Sequence, residues 1–160
     1  ARDAFIKSLV PTNSGWFAQA EIGAMDITAN RPAPSVRRFE AGTPPVVNCY
    51  AAEAGLKFLL AVGTPAIEKR NIALTRQCMQ KLQDIGWPSV TPVQDERRGA
   101  TVAVSSRDSG ALSKELMKRD IVTSHRDDNV RASFHFYNND DDVDSFVAAM
   151  KDLRASFAPR

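Results

Sequence analysis

The feature that most constrains this chain is a change of character at residue 46. Before it stand Pro11, Pro32, Pro34, Pro44 and Pro45, with glycines at 15, 23 and 42. Turn and breaker residues at that density leave little room for long helices. Residues 1–46 are therefore expected to be irregular or extended, apart from a short helix over Ala1–Leu9. Beyond them the apolar residues become periodic. Positions 47, 51, 54, 58 and 62, joined by 56, 59 and 60, describe a helix over Val47–Val62 that is buried on most of its surface. Gly63 ends it, and Thr64-Pro65 opens a second helix with a cap and a proline at the first helical position. The stripe Ile67, Leu74, Cys78, Leu82 and Ile85 carries that helix to about Ile85, where Gly86-Trp87-Pro88 stops it.

The rest of the chain alternates between the two periods. Thr101–Ser105 reads as a strand. Ser109 or Ser113 is placed to cap a helix ending near Arg119. Ile121–Ser124 is a short strand and Val130–Phe136 a longer one. A last helix spans about Asp140 to Phe157, with Val143, Phe146, Val147, Met150 and Leu153 on one face. The order α-α-β-α-β-β-α implies an α/β chain with an α+β small domain, its helices on one face of a small, mostly antiparallel sheet.

Composition limits the partners. The 160 residues carry a net charge of +2, too small a basic excess for nucleic acid. No apolar run approaches the roughly 18 residues of a membrane span. Cys49 and Cys78 both fall in helical stretches, and no leader pattern opens the chain, so a reducing cytoplasm is expected.

Two stretches carry candidate chemistry. In Asn129–Phe146, alternation puts Val130, Ala132, Phe134 and Phe136 on one face of a strand and Arg131, Ser133 and His135 on the other. Asn138 or Asn139 can cap the next helix, and Asp140, Asp141 and Asp142 sit in its first turn, where the helix dipole favours negative charge. That account needs no metal. Arg131 has two readings: a strand arginine that is solvated or paired with Asp127 or Asp128, or a two-pronged clamp for a carboxylate or phosphate. The second stretch is Arg37–Tyr50. Gly42 and Thr43 precede a helix start, which gives a backbone amide, a hydroxyl and free helix amides suited to a phosphate; the same pattern also makes an ordinary loop-to-helix connection. Arg37 or Arg38 is placed to pair with Glu40.

Taken together, RRFEAGTPP (Arg37–Pro45), SGWFAQ (Ser14–Gln19) and VRASFHFYNNDDDVDSF (Val130–Phe146) resemble the C-terminal part of the class V aminotransferases. These are pyridoxal-phosphate enzymes of fold type I, and they include cysteine desulfurases and kynureninases. The resemblance implies that residues 1–46 end the large cofactor-binding domain and that residues 47–160 form the small domain. It implies that Arg131 holds the α-carboxylate of an amino-acid substrate. It also implies that Gly42 and Thr43 reach the cofactor phosphate of the neighbouring subunit in a homodimer, with Trp16 near that phosphate.

Two departures from the family pattern matter. The family's Schiff-base lysine precedes the Gly-Trp segment. Here Lys7 lacks the serine/histidine context expected of it, and the later lysines fall on helices. No catalytic residue is therefore assigned, and the chain is expected to be the C-terminal part of a larger enzyme. Desulfurases carry a reactive cysteine in the loop before the arginine, whereas Ser124–Asn129 has none, which favours transamination. The alternatives are a kynureninase-like or desulfurase/lyase-type member, or a non-catalytic small-domain module.

Overall fold

The computed structural model describes residues 3–159. The chain divides into two compact units, Ala1–Gly55 and Leu56–Arg160. Ala1 and Arg2 of the expected first helix, and the side chain of Lys7, lie outside the described residues.

The first unit holds a short helix α1 (Asp3–Ser8), three single 3-10 turns and the start of α2 (Val46–Val62). Little apolar surface is available to hold it: among the described residues only Ile6, Ala18 and Ala33 are buried apolar side chains. Two arginines organise it instead. The Arg37 guanidinium donates to the carbonyls of Phe17 (2.8 Å) and Ala20 (3.1 Å). The Arg38 guanidinium donates to Ala33 (2.8 Å), Ile6 (3.1 Å) and Leu9 (3.0 Å). A guanidinium presents several donors in a fixed fork, so each arginine satisfies carbonyls that no helix or sheet would pair. Neither pairs with Glu40 among the described residues, which corrects the expected ion pair. Gly15 completes the unit. Its φ is an ordinary −91°, yet a Cβ there would lie 1.6 Å from the Ala41 carbonyl oxygen, so the constraint is space.

The second unit is a three-stranded antiparallel sheet in the order β1-β3-β2, with β1 Thr101–Ser105, β2 Ser124–Arg126 and β3 Asn129–Ser133. Helices α3 (Thr64–Asp84), α4 (Ser109–Met117) and α5 (Asp140–Phe157) supply the rest of the core. Val102, Val104, Val130 and Ala132 face Leu82, Leu112, Leu116 and Met150 in one buried cluster. Strand alternation gives one apolar face to the sheet and leaves a polar face on the other.

Local chemistry sets the element ends. Gly63 (φ 91°) separates α2 from α3. At the far end of α3, Gly86 (φ 70°) takes the left-handed conformation, with the Trp87 amide bonded to the Leu82 carbonyl at 3.0 Å. That is the Schellman arrangement, and it needs a residue without Cβ strain. Trp87 is buried, and its indole N–H donates to the Ser105 carbonyl at 2.8 Å. Asn139 caps α5 in a reciprocal box with Asp142, so the aspartate run is helix-start chemistry. Asp108 caps α4, where Ser109 or Ser113 was expected.

Three other expectations change. β3 stops at Ser133, because residues 134–137 leave the sheet through a turn in which the Asn138 side chain accepts from the His135 amide. β2 lies later than Ile121–Ser124, at Ser124–Arg126, because a two-residue turn at Asp127-Asp128 fixes its register with β3. The largest change is at α2. None of its residues is buried, and Val47 is 80% exposed, Tyr50 71% and Leu60 70%. Its sequence period describes a helix that needs a cover on most sides; Phe58 meets the Phe136 ring, with centroids 6.2 Å apart, while the large apolar side chains just named stay exposed. Among the described residues no single helix is long and apolar enough to cross a membrane.

Candidate functional site

Arg131 occupies the middle of β3, the central strand, with Ala103 of β1 and Ser124 of β2 as its register partners. Strands on both sides fix its backbone, so the side chain leaves the polar face of the sheet from a rigid base. Nη2 donates to the Ser124 hydroxyl at 3.2 Å. Nε is buried and has no hydrogen-bond partner. No carboxylate pairs with this guanidinium among the described residues, which removes the reading in which Asp127 or Asp128 neutralises it. The carbonyls of those two residues are already engaged, by the Ser109 hydroxyl at 2.6 Å and by the Ser106 amide at 2.8 Å. The turn is thereby tied to the start of α4.

A buried N–H without a partner is uncommon and costs about 1–3 kcal/mol. On a guanidinium it marks a place for an anionic acceptor. His135 presents a similar feature further along the chain. Its ring stacks on Tyr137 at 4.6 Å and lies 4.6 Å from Phe136, while its Nδ1 is buried without a partner.

The other sequence candidates lie in the first unit. Trp16 and Gly42 are neighbours: a Cβ on Gly42 would stand 3.7 Å from Trp16 Nε1. Trp16 is 43% exposed, and its indole N–H makes no hydrogen bond among the described residues. Thr43 is exposed and follows directly. Helix α2 begins three residues later, where the Cys49 amide bonds to the Pro45 carbonyl at 3.1 Å, so the amides of Val46–Asn48 precede the helical ladder and are free of it. An indole N–H, a threonine hydroxyl and free helix amides form an all-donor set, which suits a phosphate. Trp16 also lines a cavity of about 440 Å³ with Gln19, Ile22, Met25 and Ile27. Among the described residues no group of three or more histidine, cysteine or acidic side chains is arranged to hold a metal ion.

Neither cysteine stands in the β2–β3 turn. Cys49 is exposed on α2, and Cys78 is buried on α3. Burial pushes the Cys78 thiol up to about 12, only partly opposed by the charge of Lys81, so it is an inert thiol at neutral pH. Ser124 as the partner of Arg131, and the carbonyl clamps of Arg37 and Arg38, are not evident from residue order. The one sequence signal for the clamps is a pair of arginines inside a loop rich in unpaired carbonyls.

Arg131 thus stands on the central strand of a small antiparallel sheet backed by helices. The fold is shared with fold type I pyridoxal-phosphate enzymes. An apo cysteine desulfurase from Thermococcus onnurineus superposes with a TM-score of 0.79 at 21% identity, over 95% of this chain and 41% of that one. The cysteine desulfurase CsdA of Escherichia coli gives 0.78 at 19% identity, over 97% and 41%. In sequence, residues 1–146 match the family Aminotransferase class-V, and the chain belongs to that family. A probable cysteine desulfurase of Pyrococcus abyssi is 25% identical over 135 residues, 72% of this chain and 33% of the relative. An uncharacterized aminotransferase of Bacillus subtilis is 25% identical over 152 residues, 89% and 37%. The chain therefore spans about a third of the length of the curated relatives it matches. Members of this family use pyridoxal phosphate, and the donor set of Trp16, Thr43 and the α2 amides fits its phosphate.

Proposed function

We propose that this chain is the C-terminal part of a pyridoxal-phosphate-dependent class V enzyme that transaminates an amino acid in the cytoplasm as a homodimer. The observation that carries the reading is the buried, unpaired Nε of Arg131 on the central strand. Arg131 holds the substrate α-carboxylate, with Ser124 fixing one arm of the fork. Trp16, Gly42 and Thr43 hold the cofactor phosphate. When bound, pyridoxal phosphate supplies the electron sink for the substrate carbon that loses its proton. The residues of this chain bind and orient, while the lysine that moves the proton belongs to the part of the enzyme that the resemblance places before residue 1. On this reading residues 1–46 complete the large domain and residues 47–160 form the small one. The free thiols of Cys49 and Cys78 support a reducing compartment.

The test is steady-state kinetics of the intact parent enzyme. Arg131→Ala removes a charged two-pronged contact and is expected to lower kcat/KM for the amino acid by about 2–4 kcal/mol, roughly 30- to 1000-fold. Arg131→Lys keeps the charge and loses the fork, so its loss should be smaller but still measurable. An unchanged kcat/KM in Arg131→Ala would overturn the assignment.

Desulfuration is a second reading, favoured by the names of the relatives from Pyrococcus abyssi and Halobacterium salinarum, each a probable cysteine desulfurase. Against it, the tight Asp127-Asp128 turn carries no thiol. Alanine formation from cysteine by the parent enzyme, with the sulfur recovered as sulfide when a dithiol reductant is added, at a rate matching its transamination of other amino acids, would favour this reading over the first.

A further inference from the structure

Arg131 belongs to a row of side chains on the polar face of the sheet. Register sets Ser124 of β2 opposite Arg131 and Arg126 opposite Asn129, so these four side chains leave the same face. Each has donors to spare. Ser124 Oγ accepts from Arg131 Nη2 and keeps its own hydrogen. Asn129 Oδ1 is taken by the Ser105 hydroxyl at 2.9 Å, while its side-chain nitrogen has no acceptor among the described residues. Arg126 is exposed, and its guanidinium makes no hydrogen bond or ion pair among the described residues. Toward the other end of β3 the row is closed. The Thr101 and Ser133 hydroxyls share a hydrogen bond of 3.0 Å, and Ala103, opposite Arg131, has no polar side chain. The spare donors therefore run from Arg131 toward the β2–β3 turn, and they end at a second guanidinium.

Arg126 and Arg131 are diagonal neighbours on adjacent strands, roughly 7–8 Å apart at their strand positions. Two permanent cations at that spacing repel each other unless anions answer them. Asp127 and Asp128 follow Arg126 directly, yet neither forms an ion pair with it among the described residues. One carboxylate fills the Arg131 fork and leaves Arg126 and the Asn129 nitrogen unanswered. Arginine stems are long enough to bring both guanidiniums onto anions separated by about two or three carbons. We propose that Arg126, helped by the Asn129 side-chain nitrogen, binds a second anionic group, so that the preferred substrate is an amino acid whose side chain ends in an acid. This rests on the reading in which Arg131 holds the α-carboxylate. Arg126 touches no reacting atom; it sets specificity from the short strand β2.

The experiment is equilibrium titration of the intact parent holoenzyme with three probes, using the visible absorbance of the bound cofactor as the signal. Butyrate has one carboxylate, glutarate has two, and 3-phosphonopropionate carries a phosphonate in place of the second. None has an amino group, so the readout does not depend on which reaction the enzyme performs. Both diacids are expected to bind at least about tenfold more tightly than butyrate, the scale of one hydrogen-bonded charge contact. The tighter of the two identifies the side-chain acid as carboxylate or phosphate. Arg126→Ala should bring both diacids to the level of butyrate and leave butyrate itself unchanged. Arg126→Lys should keep part of the preference, because it keeps the charge and loses the fork. Equal binding of all three probes by the parent enzyme would overturn the proposal. So would a preference that survives Arg126→Ala, or an Arg126→Ala variant that weakens all three probes alike. Failure of the underlying Arg131 reading has a different signature: Arg131→Ala would then leave butyrate binding unchanged, and the proposal would fall with it. A lost preference with Arg131→Ala still weakening butyrate overturns the role of Arg126 alone.

Discussion

Arg131 Nε, His135 Nδ1 and Asn71 Oδ1 are buried side-chain polar atoms without hydrogen-bond partners. For Arg131, alternation along the strand shows that a cation leaves the polar face. It does not show that Ser124 takes one arm or that Asp127 and Asp128 are turned away, because both facts depend on the register of β2 against β3. Gly15 makes the same point in the other unit. In the sequence it is one more breaker; in the structure it is the place where the backbone passes so close to Ala41 that no side chain fits. Gly15→Ala is expected to destabilise the first unit by about 1–3 kcal/mol, the usual scale of overpacking. Hydrogen exchange checks it: the Ala18 and Ala33 amides, bonded to the Gly15 and Ala18 carbonyls, should lose protection while β1 and β3 keep theirs.

At the scale of elements, α5 was the most legible. Its span from Asp140 to Phe157, its cap and its buried face follow from residue order, because capping and helical period are both local. Its N-terminus also gives a pH dependence with a defined sign. Hydrogen bonds from the Asn138 side chain and the Asn139 amide hold the Asp142 carboxyl below its ordinary value of 3.8, against a smaller upward push from burial. A lowered folded value means that the stabilisation is complete above pH 3.8 and is lost as pH falls through the folded value. Asp142→Asn should therefore lower Tm at neutral pH, and the gap to the parent chain should close progressively below pH 3.8. Asn139→Ala, which removes the other half of the box, should cost about 0.5–2 kcal/mol in chemical denaturation. Helix α2 is the contrasting element. Its apolar pattern is equally clear, but a pattern states a need for burial without naming the cover.

At the scale of the whole molecule, the two units differ in what holds them. The second has a continuous apolar cluster drawn from three helices and two strands, β1 and β3. The first has three small buried contributions and a set of arginine–carbonyl clamps. Regions with few buried apolar contacts open at lower free energy. In native-state hydrogen exchange of the 160-residue chain, amides of the first unit are expected to exchange at least about tenfold faster than those of β1 and β3. Uniform protection across both units would contradict this. The long helices, the strand periodicity, the cap of α5 and the family to which the chain belongs are legible in residue order, because each rests on residues close together or on motifs kept in order. Three facts come from the folded arrangement instead: among the described residues no acid stands beside the Arg131 guanidinium, Arg37 and Arg38 bind carbonyls and not Glu40, and most of the large apolar side chains of α2 are exposed. Those three facts depend on which distant groups meet in space, and residue order does not record such meetings.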